Sequence, residues 1–273
     1  MEEIVSVDWL AKNLKDEHLI LLDASFSGPK GNKSSKLNNL TIPGARFFNL
    51  KEKFSDKSSS FPNTMPSSKQ FEQECQKLGV NQNSMIVVFD NQGIYSSPRV
   101  WWMFKVMGHE KVSVLNGGLP EWVNKNYNTL ERNERNYRRG NFKANFYKTF
   151  VKRYEDILSN IESNTFTIVD ARSEGRFNGT EKEPRAHLKS GNIPNSVNIP
   201  FKEVLKNGKF KSSSELKQIF TSKDLVSKDL IFSCGSGLTA CIVLLASEIA
   251  FKKSRFIYDG SWTEWAEKQG LTE

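Results

Sequence analysis

Short apolar runs alternate with amphipathic stretches along the whole chain. Turn residues bound four compact apolar runs, at positions 19–23, 86–89, 166–170 and 230–232. In the intervening stretches, apolar residues recur every three to four positions, as they do on one face of a helix. These stretches are residues 7–15, 68–78, 98–107, 154–162, 213–221 and 239–251. Buried runs that alternate with helices predict an α/β fold, in which a central, mainly parallel sheet is flanked by helices.

The chain contains this pattern twice. Four local sequences recur in the same order, at offsets from 142 (Gly118 to Gly260) to 151 (Pro43 to Pro194). Ordered recurrence at a nearly constant offset predicts a tandem duplication. We expect a first unit at residues 1–135, a linker at 136–149 and a second unit at 150–273.

The loop at residues 234–239 carries the strongest chemical signal, because it joins a predicted buried strand to a predicted helix. It reads Cys234-Gly235-Ser236-Gly237-Leu238-Thr239. The free N–H groups and the dipole of a helix N-terminus favour a thiolate. Glycines let the backbone curl so that several amides face one sulfur. We expect Ser236 to donate a hydrogen bond and Thr239 to cap the helix or line the loop.

Cys234 is therefore predicted to be a nucleophile that faces a cleft. The alternative is a small buried side chain, which is the commonest fate of a free cysteine. We expect that fate for Cys75 and Cys241, which lie within predicted helices. In the first copy Asp90 stands at the position of Cys234, and an aspartate cannot supply a thiolate. Catalysis is thus assigned to the second copy.

Other loop chemistries lack their residues. A phosphatase of the C-x5-R type needs an arginine six residues after the cysteine, and Ala240 stands there. A cysteine–histidine hydrolase needs a general base, and none of the three histidines has a compelling context. A G-x-x-x-x-G-K-[ST] phosphate loop is absent from the sequence. Thiolate chemistry on an anionic substrate remains.

Composition narrows the partners and the compartment. The formal charge is +8, but the densest basic patch lies at residues 132–139, near the predicted linker, and no basic stretch interleaves with aromatics at a recognisable spacing. No nucleic-acid partner is therefore predicted. Three cysteines are too few for a disulfide framework, which favours a reducing compartment. The acidic N-terminus and the short apolar runs predict a cytoplasmic protein without a signal peptide or a membrane partner. No metal or organic cofactor is implied.

Long motifs in both halves resemble the two-domain rhodanese-like sulfurtransferases, and among them the members that use 3-mercaptopyruvate. The resemblance covers nearly the whole chain. Its motifs are the loop from Cys234 to Cys241, Tyr258-Asp259-Gly260-Ser261-Trp262-Thr263-Glu264-Trp265, Tyr95-Ser96-Ser97-Pro98-Arg99-Val100-Trp101-Trp102, and Gly175-Arg176-Phe177-Asn178-Gly179-Thr180 continuing to Glu183-Pro184-Arg185.

The resemblance implies a mechanism. Cys234 would take a sulfur atom as a persulfide and pass it to thioredoxin, a small thiol or cyanide, with pyruvate as the other product. Arg176 and Arg185 would hold the carboxylate and keto group, since a guanidinium fork suits a carboxylate. The rest of the loop, namely Gly235, Ser236, Gly237, Leu238 and Thr239, would surround the donor. Thiosulfate-using relatives carry Arg-Lys where Gly235 and Ser236 stand, which favours mercaptopyruvate here.

Two positions depart from the family pattern. The family places an aspartate and a histidine in a relay with the loop serine, and here they align with Lys51 and Asn63. A lysine at that position would bind an anion, which keeps a thiosulfate:cyanide sulfurtransferase open. A persulfide carrier or binding module with little turnover is the other alternative.

Among the remaining residues, Glu183 is expected to be a surface charge, and the Trp101-Trp102 and Trp262/Trp265 pairs are expected to pack in the core.

Overall fold

The fold is a computed structural model that describes residues 1–26, 37–133, 135–252 and 256–272. Two units emerge. Unit 1 comprises Met1–Lys57, Met65–Tyr147 and Asn207–Phe210, and unit 2 comprises Ser58–Thr64, Lys148–Lys206 and Lys211–Glu273. Each unit therefore includes a short segment from the other sequence repeat.

Unit 1 is built on a five-stranded parallel sheet in the order β1-β6-β5-β2-β4. Its strands are β1 (Ile4–Val5), β2 (Leu19–Asp23), β3 (Leu40–Thr41), β4 (Arg46–Phe47), β5 (Met85–Phe89), β6 (Val112–Leu115) and β7 (Leu130–Glu131), of which β3 and β7 form a separate antiparallel pair. Its helices are α1 (Val7–Asn13), α2 (Ser68–Lys77), α3 (Ser97–Val106) and α4 (Gly118–Asn124).

Helix α3 is the centre of the unit 1 core. All ten of its residues are buried, including Trp101 and Trp102, so the predicted packing of this pair is confirmed. Burial of the whole helix, Arg99 and Lys105 included, means that protein surrounds α3 on every side. It follows β5, which is itself almost fully buried, as expected for a strand of a parallel sheet covered on both faces.

The stretch predicted as a linker is hydrogen-bonded to unit 1 as far as Tyr147. Gly140 N donates to the carbonyl of Gln76 at 2.8 Å, and Phe142 N donates to the carbonyl of Val80 at 3.1 Å. The exchanged segment Asn207–Phe210 is anchored in the same unit. There Lys209 Nζ lies 3.0 Å from a carboxylate oxygen of Glu121.

Unit 2 repeats the architecture, with a five-stranded parallel sheet in the order β10-β9-β13-β14-β8. The strands of the second repeat are β8 (Val151–Lys152), β9 (Thr167–Asp170), β10 (Ser196–Asn198), β11 (Leu205–Lys206), β12 (Lys209–Phe210, in unit 1), β13 (Leu230–Ser233) and β14 (Phe256–Tyr258). The helices are α5 (Tyr154–Ser163), α6 (Glu174–Phe177), α7 (Ser213–Ser222), α8 (Ala240–Phe251) and α9 (Ser261–Lys268), with 3₁₀ turns at Lys148–Phe150 and Phe201–Val204.

These sheets confirm the predicted α/β class and the predicted duplication of one fold. Strand β13 is the middle strand of its sheet and is buried throughout. Functional sites of open α/β sheets form at the carboxyl ends of such strands, and the loop at residues 234–239 begins there. No helix in the described ranges is both long enough and apolar enough to cross a bilayer.

Candidate active site

Cys234 lies directly after the central strand β13, and helix α8 begins six residues later at Ala240. Its exposed fraction is 1%, so the prediction that the side chain itself is exposed to a cleft is wrong. Gly235, Ser236 and Thr239 are the partly exposed residues of the loop. The loop folds over its own first residue because the middle strand of a covered sheet ends inside the protein.

The start of α9 holds the carbonyl groups of this loop. Trp262 N donates to the carbonyl of Cys234 at 2.8 Å. The carbonyl of Gly235 accepts from Thr263 N at 3.2 Å and from Thr263 Oγ1 at 2.6 Å. Backbone N–H groups in the first turn of a helix have no partner within the helix. They are therefore available to fix the loop, and its peptide planes are held in one orientation.

Ser261 holds amide groups of the same loop. Its Oγ accepts hydrogen bonds from Cys234 N at 3.3 Å and Gly237 N at 3.1 Å, and donates to the carbonyl of Tyr258 at 2.9 Å. Sequence reasoning assigned no role to Ser261 and Thr263, although it correctly predicted that the neighbouring Trp262 packs in the core. The signal that could have found them is the recurrence of their motif in the first copy.

The far end of the loop is fixed more weakly. The Cys241 thiol donates to the carbonyl of Gly237 at 3.4 Å, and Gly237 has the left-handed φ of +75° that glycine adopts without strain. Thr239 occupies the N-cap position of α8, but its side chain makes no capping hydrogen bond. Leu238 is 9% exposed. Cys75 and Cys241 are fully buried, as predicted, and burial raises the pKa of the Cys75 thiol well above its ordinary value.

A buried ion cluster stands beside the loop. Arg172 is 1% exposed and lies between two buried carboxylates, with Nη2 2.6 Å from Asp170 and Nη1 2.8 Å from Glu183. Burial alone would lower the pKa of Arg172, but the two carboxylates outweigh it and the pKa is raised. Its guanidinium also lies 4.3 Å from the ring centroid of Trp262, so the cluster contacts the start of α9.

Glu183 connects this cluster to Arg176. Its carboxylate accepts from Arg176 Nε at 3.1 Å and from Nη2 at 2.6 Å, which is a bidentate pair. Glu183 is 6% exposed, so its prediction as a surface charge is wrong. Two arginines compensate its charge, which is what allows a carboxylate to be buried.

Arg176 is adjacent to the loop, as its predicted role requires. A Cβ added to Gly235 would lie only 2.9 Å from Arg176 Nη2, so the close approach requires glycine. Arg185 is half-buried in a turn where its carbonyl accepts from Leu188 N at 2.9 Å. Among the described residues, its guanidinium makes no hydrogen bond or ion pair.

Asn63 reaches the loop from the exchanged segment Ser58–Thr64. Its Nδ2 donates to the carbonyl of Ser236 at 3.0 Å and to Ser236 Oγ at 3.3 Å. An amide that donates to the hydroxyl oxygen leaves the hydroxyl proton for another acceptor. Lys51 belongs to unit 1, where its ammonium lies 4.8 Å from the ring centroid of Phe26.

The equivalent loop of unit 1 holds a carboxylate instead of a thiol. Asp90 is fully buried, and its Oδ2 accepts from the backbone N of Tyr95, Ser96 and Ser97 at 2.9, 3.1 and 3.0 Å and from Ser97 Oγ at 2.6 Å. The amides at the start of α3 thus converge on one anionic oxygen. We call these three N–H groups the amide cradle.

Family comparison decides what kind of protein carries this pair of loops. The model of the rhodanese-like domain matches residues 6–125 and 154–268. The chain belongs to the rhodanese-like family. As in other rhodanese-like proteins, the domain occurs here in two copies, as the repeat predicts.

Relatives of this rhodanese-like chain match it along nearly its whole length. It is 41% identical to mouse 3-mercaptopyruvate sulfurtransferase, covering 96% of this chain and 91% of the relative. It is 39% identical to bovine thiosulfate sulfurtransferase with the same coverage of both chains. The crystal structure of SseA from Escherichia coli, described as a 3-mercaptopyruvate sulfotransferase, has a TM-score of 0.84, with 35% identity over 96% of this chain and 99% of that one. The chain is a sulfurtransferase, and the predicted family and enzyme class are confirmed.

Proposed function

We propose that this sulfurtransferase moves a sulfur atom from 3-mercaptopyruvate to a thiol or to cyanide through a persulfide on Cys234. The observation that carries the proposal is the buried carboxylate of Asp90. In both an aspartate and a cysteine persulfide, the anionic atom is two bonds from Cβ. Unit 1 therefore holds a carboxylate where the persulfide of unit 2 would place its terminal sulfur.

The amide cradle has a counterpart in unit 2. Helix α3 begins at Ser97 and helix α8 begins at Ala240. Counting from these starts, the N–H groups of Tyr95, Ser96 and Ser97 correspond to those of Leu238, Thr239 and Ala240. These N–H groups and the dipole of α8 would stabilise a thiolate and then a terminal persulfide sulfur. Leu238 and Thr239 thus act through their backbone.

The transfer has two steps. The Cys234 thiolate attacks the donor sulfur, the new S–S bond forms, and the C–S bond breaks with its electron pair left on the carbon. The leaving group is the enolate of pyruvate, which takes one proton to give pyruvate. An acceptor thiolate then attacks the terminal sulfur, the S–S bond breaks, and the Cys234 thiolate is regenerated.

The arginines favour a donor that carries a carboxylate. Glu183 takes two of the five N–H groups of Arg176, which leaves the Nη1/Nη2 edge for a substrate. Three arginines (Arg172, Arg176 and Arg185) accompany two buried carboxylates, so the region has one net positive charge for an anion. The loop itself has no cation beside Cys234 to hold a sulfonate group, which argues against thiosulfate.

Ser236 is proposed to donate a hydrogen bond to the departing group, with the hydroxyl proton staying on Oγ. Because Asn63 donates to Ser236 Oγ, that proton is directed elsewhere. The amide of Asn63 does not titrate, so Ser236 acts here as a fixed hydrogen-bond donor. A histidine at this position would instead make the donor group depend on pH near neutrality.

Intact mass after incubation with each donor tests the proposal. Mercaptopyruvate should add one sulfur atom to the wild-type chain and none to Cys234→Ser. Steady-state assays with mercaptopyruvate and thiosulfate, each with dithiothreitol as acceptor, then rank the donors. A larger kcat/KM for thiosulfate would overturn the donor, and a sulfur-loaded protein without turnover would indicate a carrier.

Arg185→Ala is expected to raise KM for mercaptopyruvate about tenfold to a hundredfold, because a charge-assisted hydrogen bond is lost. The alkylation rate of Cys234 should not change. Arg139→Ala is the control for loss of a positive charge elsewhere, since Arg139 is exposed and contacts Gln76 in unit 1. An unchanged KM in Arg185→Ala, or an equal rise in the control, would remove Arg185 from the site.

We also propose a sulfur acceptor and a cellular location for this sulfurtransferase. A thiol protein of the thioredoxin kind or a small thiol would receive the sulfur in a reducing, cytoplasmic setting. Rates with thioredoxin, glutathione and cyanide under equal conditions would rank the acceptors. Fractionation of cells that express the chain would test its location.

A further inference from the structure

We infer that Ser261 is a positioning residue, whose hydroxyl supplies an acceptor for loop amides in the copy where cysteine, which has no side-chain oxygen, stands at the position of aspartate. The inference rests on the proposed function only in taking Cys234 as the nucleophile. It comes from comparing the two loops, which start from the same strand position and differ in which group accepts their amide hydrogens.

In unit 1 the loop that begins at Asp90 supplies the acceptor for its own backbone amides. Asp90 Oδ1 accepts from Gln92 N at 2.9 Å while Oδ2 binds the amide cradle. The neighbouring helix α4 begins with Gly118, which offers no side chain. Leu119 N donates to the carbonyl of Asp90 at 3.0 Å, just as Trp262 N donates to that of Cys234. Gly118 and Ser261 are therefore equivalent positions in the structure, which shifts by one residue the Gly118–Gly260 match made from the sequence repeat.

In unit 2 the cysteine has no oxygen to accept loop amides. The Ser261 hydroxyl accepts two of them from the neighbouring helix instead, those of Cys234 and Gly237. Its single proton goes to the carbonyl of Tyr258, so all the hydrogen-bonding capacity of the hydroxyl is used and its direction is fixed.

The backbone shows that the hydroxyl is needed there. Ser261 has a φ of +52° and Gly118 has a φ of +53°. Glycine adopts this left-handed region freely, whereas serine does so with strain. Unit 1 shows that glycine fits the position. Serine is the residue in the catalytic copy because its side chain does something there that glycine does not do. Strained residues of this kind collect at functional sites.

The consequence concerns the amides that face the sulfur. With Gly237 N tied to Ser261 and the carbonyls of Cys234 and Gly235 tied to α9, the loop has one curvature. That curvature determines whether the N–H groups of Leu238, Thr239 and Ala240 converge on the sulfur. Loss of the Ser261 hydroxyl should therefore make the Cys234 thiolate less stable, while the protein still folds.

Ser261→Gly and Ser261→Ala test the inference through alkylation of Cys234 by iodoacetamide as a function of pH, without any sulfur donor. Alkylation of Cys234→Ser gives the background from the buried thiols. We expect the alkylation rate at neutral pH and kcat/KM each to fall about tenfold, and the midpoint of the pH profile to rise. Ser261→Gly relieves the left-handed strain, so it should perturb unfolding less than Ser261→Ala.

Gly118→Ala is the matched control in unit 1. Its Cβ would lie 2.5 Å from the carbonyl oxygen of Asp90, so it should destabilise the protein without moving the alkylation profile of Cys234. The inference is overturned if Ser261→Gly keeps the wild-type profile and kcat/KM within twofold, or if Gly118→Ala shifts the profile equally. Because alkylation needs no turnover, this result can be interpreted even if mercaptopyruvate is not the sulfur donor.

Discussion

Replacing Cys234 with serine is expected to lower kcat/KM for sulfur transfer by at least about a thousandfold, because the variant lacks the atom that accepts the sulfur. A serine hydroxyl is not ionised at neutral pH, and the N–H groups at the start of α8 cannot compensate for that. Pyruvate formation from mercaptopyruvate, with dithiothreitol as acceptor, measures the loss. The loop should stay folded, since Cys234 is hydrogen-bonded to α9 through its backbone N and carbonyl oxygen, which serine also has.

Two other cysteines serve as controls for that result. Cys75 lies in α2 of unit 1, and Cys241 is the second residue of α8, where its thiol donates to the loop carbonyl of Gly237. Cys75→Ala should keep wild-type kcat/KM, whereas Cys241→Ala should lose a few-fold at most. Transfer above one tenth of wild type in Cys234→Ser would show that another nucleophile carries the sulfur.

Arg172→Leu is expected to reduce the free energy of unfolding by about 3–5 kcal/mol, because it leaves two buried carboxylates without their cation. Asp170 and Glu183 then face each other's charge in a low-dielectric interior. Glu183 also holds Arg176, so KM for mercaptopyruvate should rise in whatever fraction remains folded. Urea denaturation followed by tryptophan fluorescence measures the first effect, and steady-state kinetics measures the second.

An exposed arginine gives the baseline for that comparison. Arg138→Leu makes the same chemical change at an exposed position of unit 1, and should alter the free energy of unfolding by less than about 0.5 kcal/mol. A second variant, Arg172→Leu with Asp170→Asn, removes one of the stranded charges and should recover part of the loss. Equal stability of Arg172→Leu and wild type would show that the cluster does not stabilise unit 2.

Local patterns were enough to predict the sheets and the place of Cys234 in the fold. Strand β13, the two glycines and helix α8 are consecutive in the sequence, so their order alone puts Cys234 at a strand end and a helix start. The burial of Glu183 is different in kind. It depends on pairing with Arg172 and Arg176, and a charged residue in a polar stretch gives no local sign of such partners.

Burial of Cys234 and the role of Ser261 also lay beyond the sequence pattern. Each depends on how a loop meets the start of another helix, which is a tertiary contact between residues 27 apart in the case of Cys234 and Ser261. Asn63 lies 173 residues from Ser236 and was noticed only through the family resemblance. Residue spacing cannot predict hydrogen bonds over such separations.

The segments that the two repeats exchange make each half of the gene depend on the other. Unit 2 takes Ser58–Thr64, and with it Asn63, from the first repeat, while unit 1 takes Asn207–Phe210 from the second. A gene cut back to its second copy would encode Cys234 without the amide that donates to Ser236. A gene cut back to the first would lose the lysine that pairs with Glu121. Each copy therefore depends on a segment that the other copy encodes.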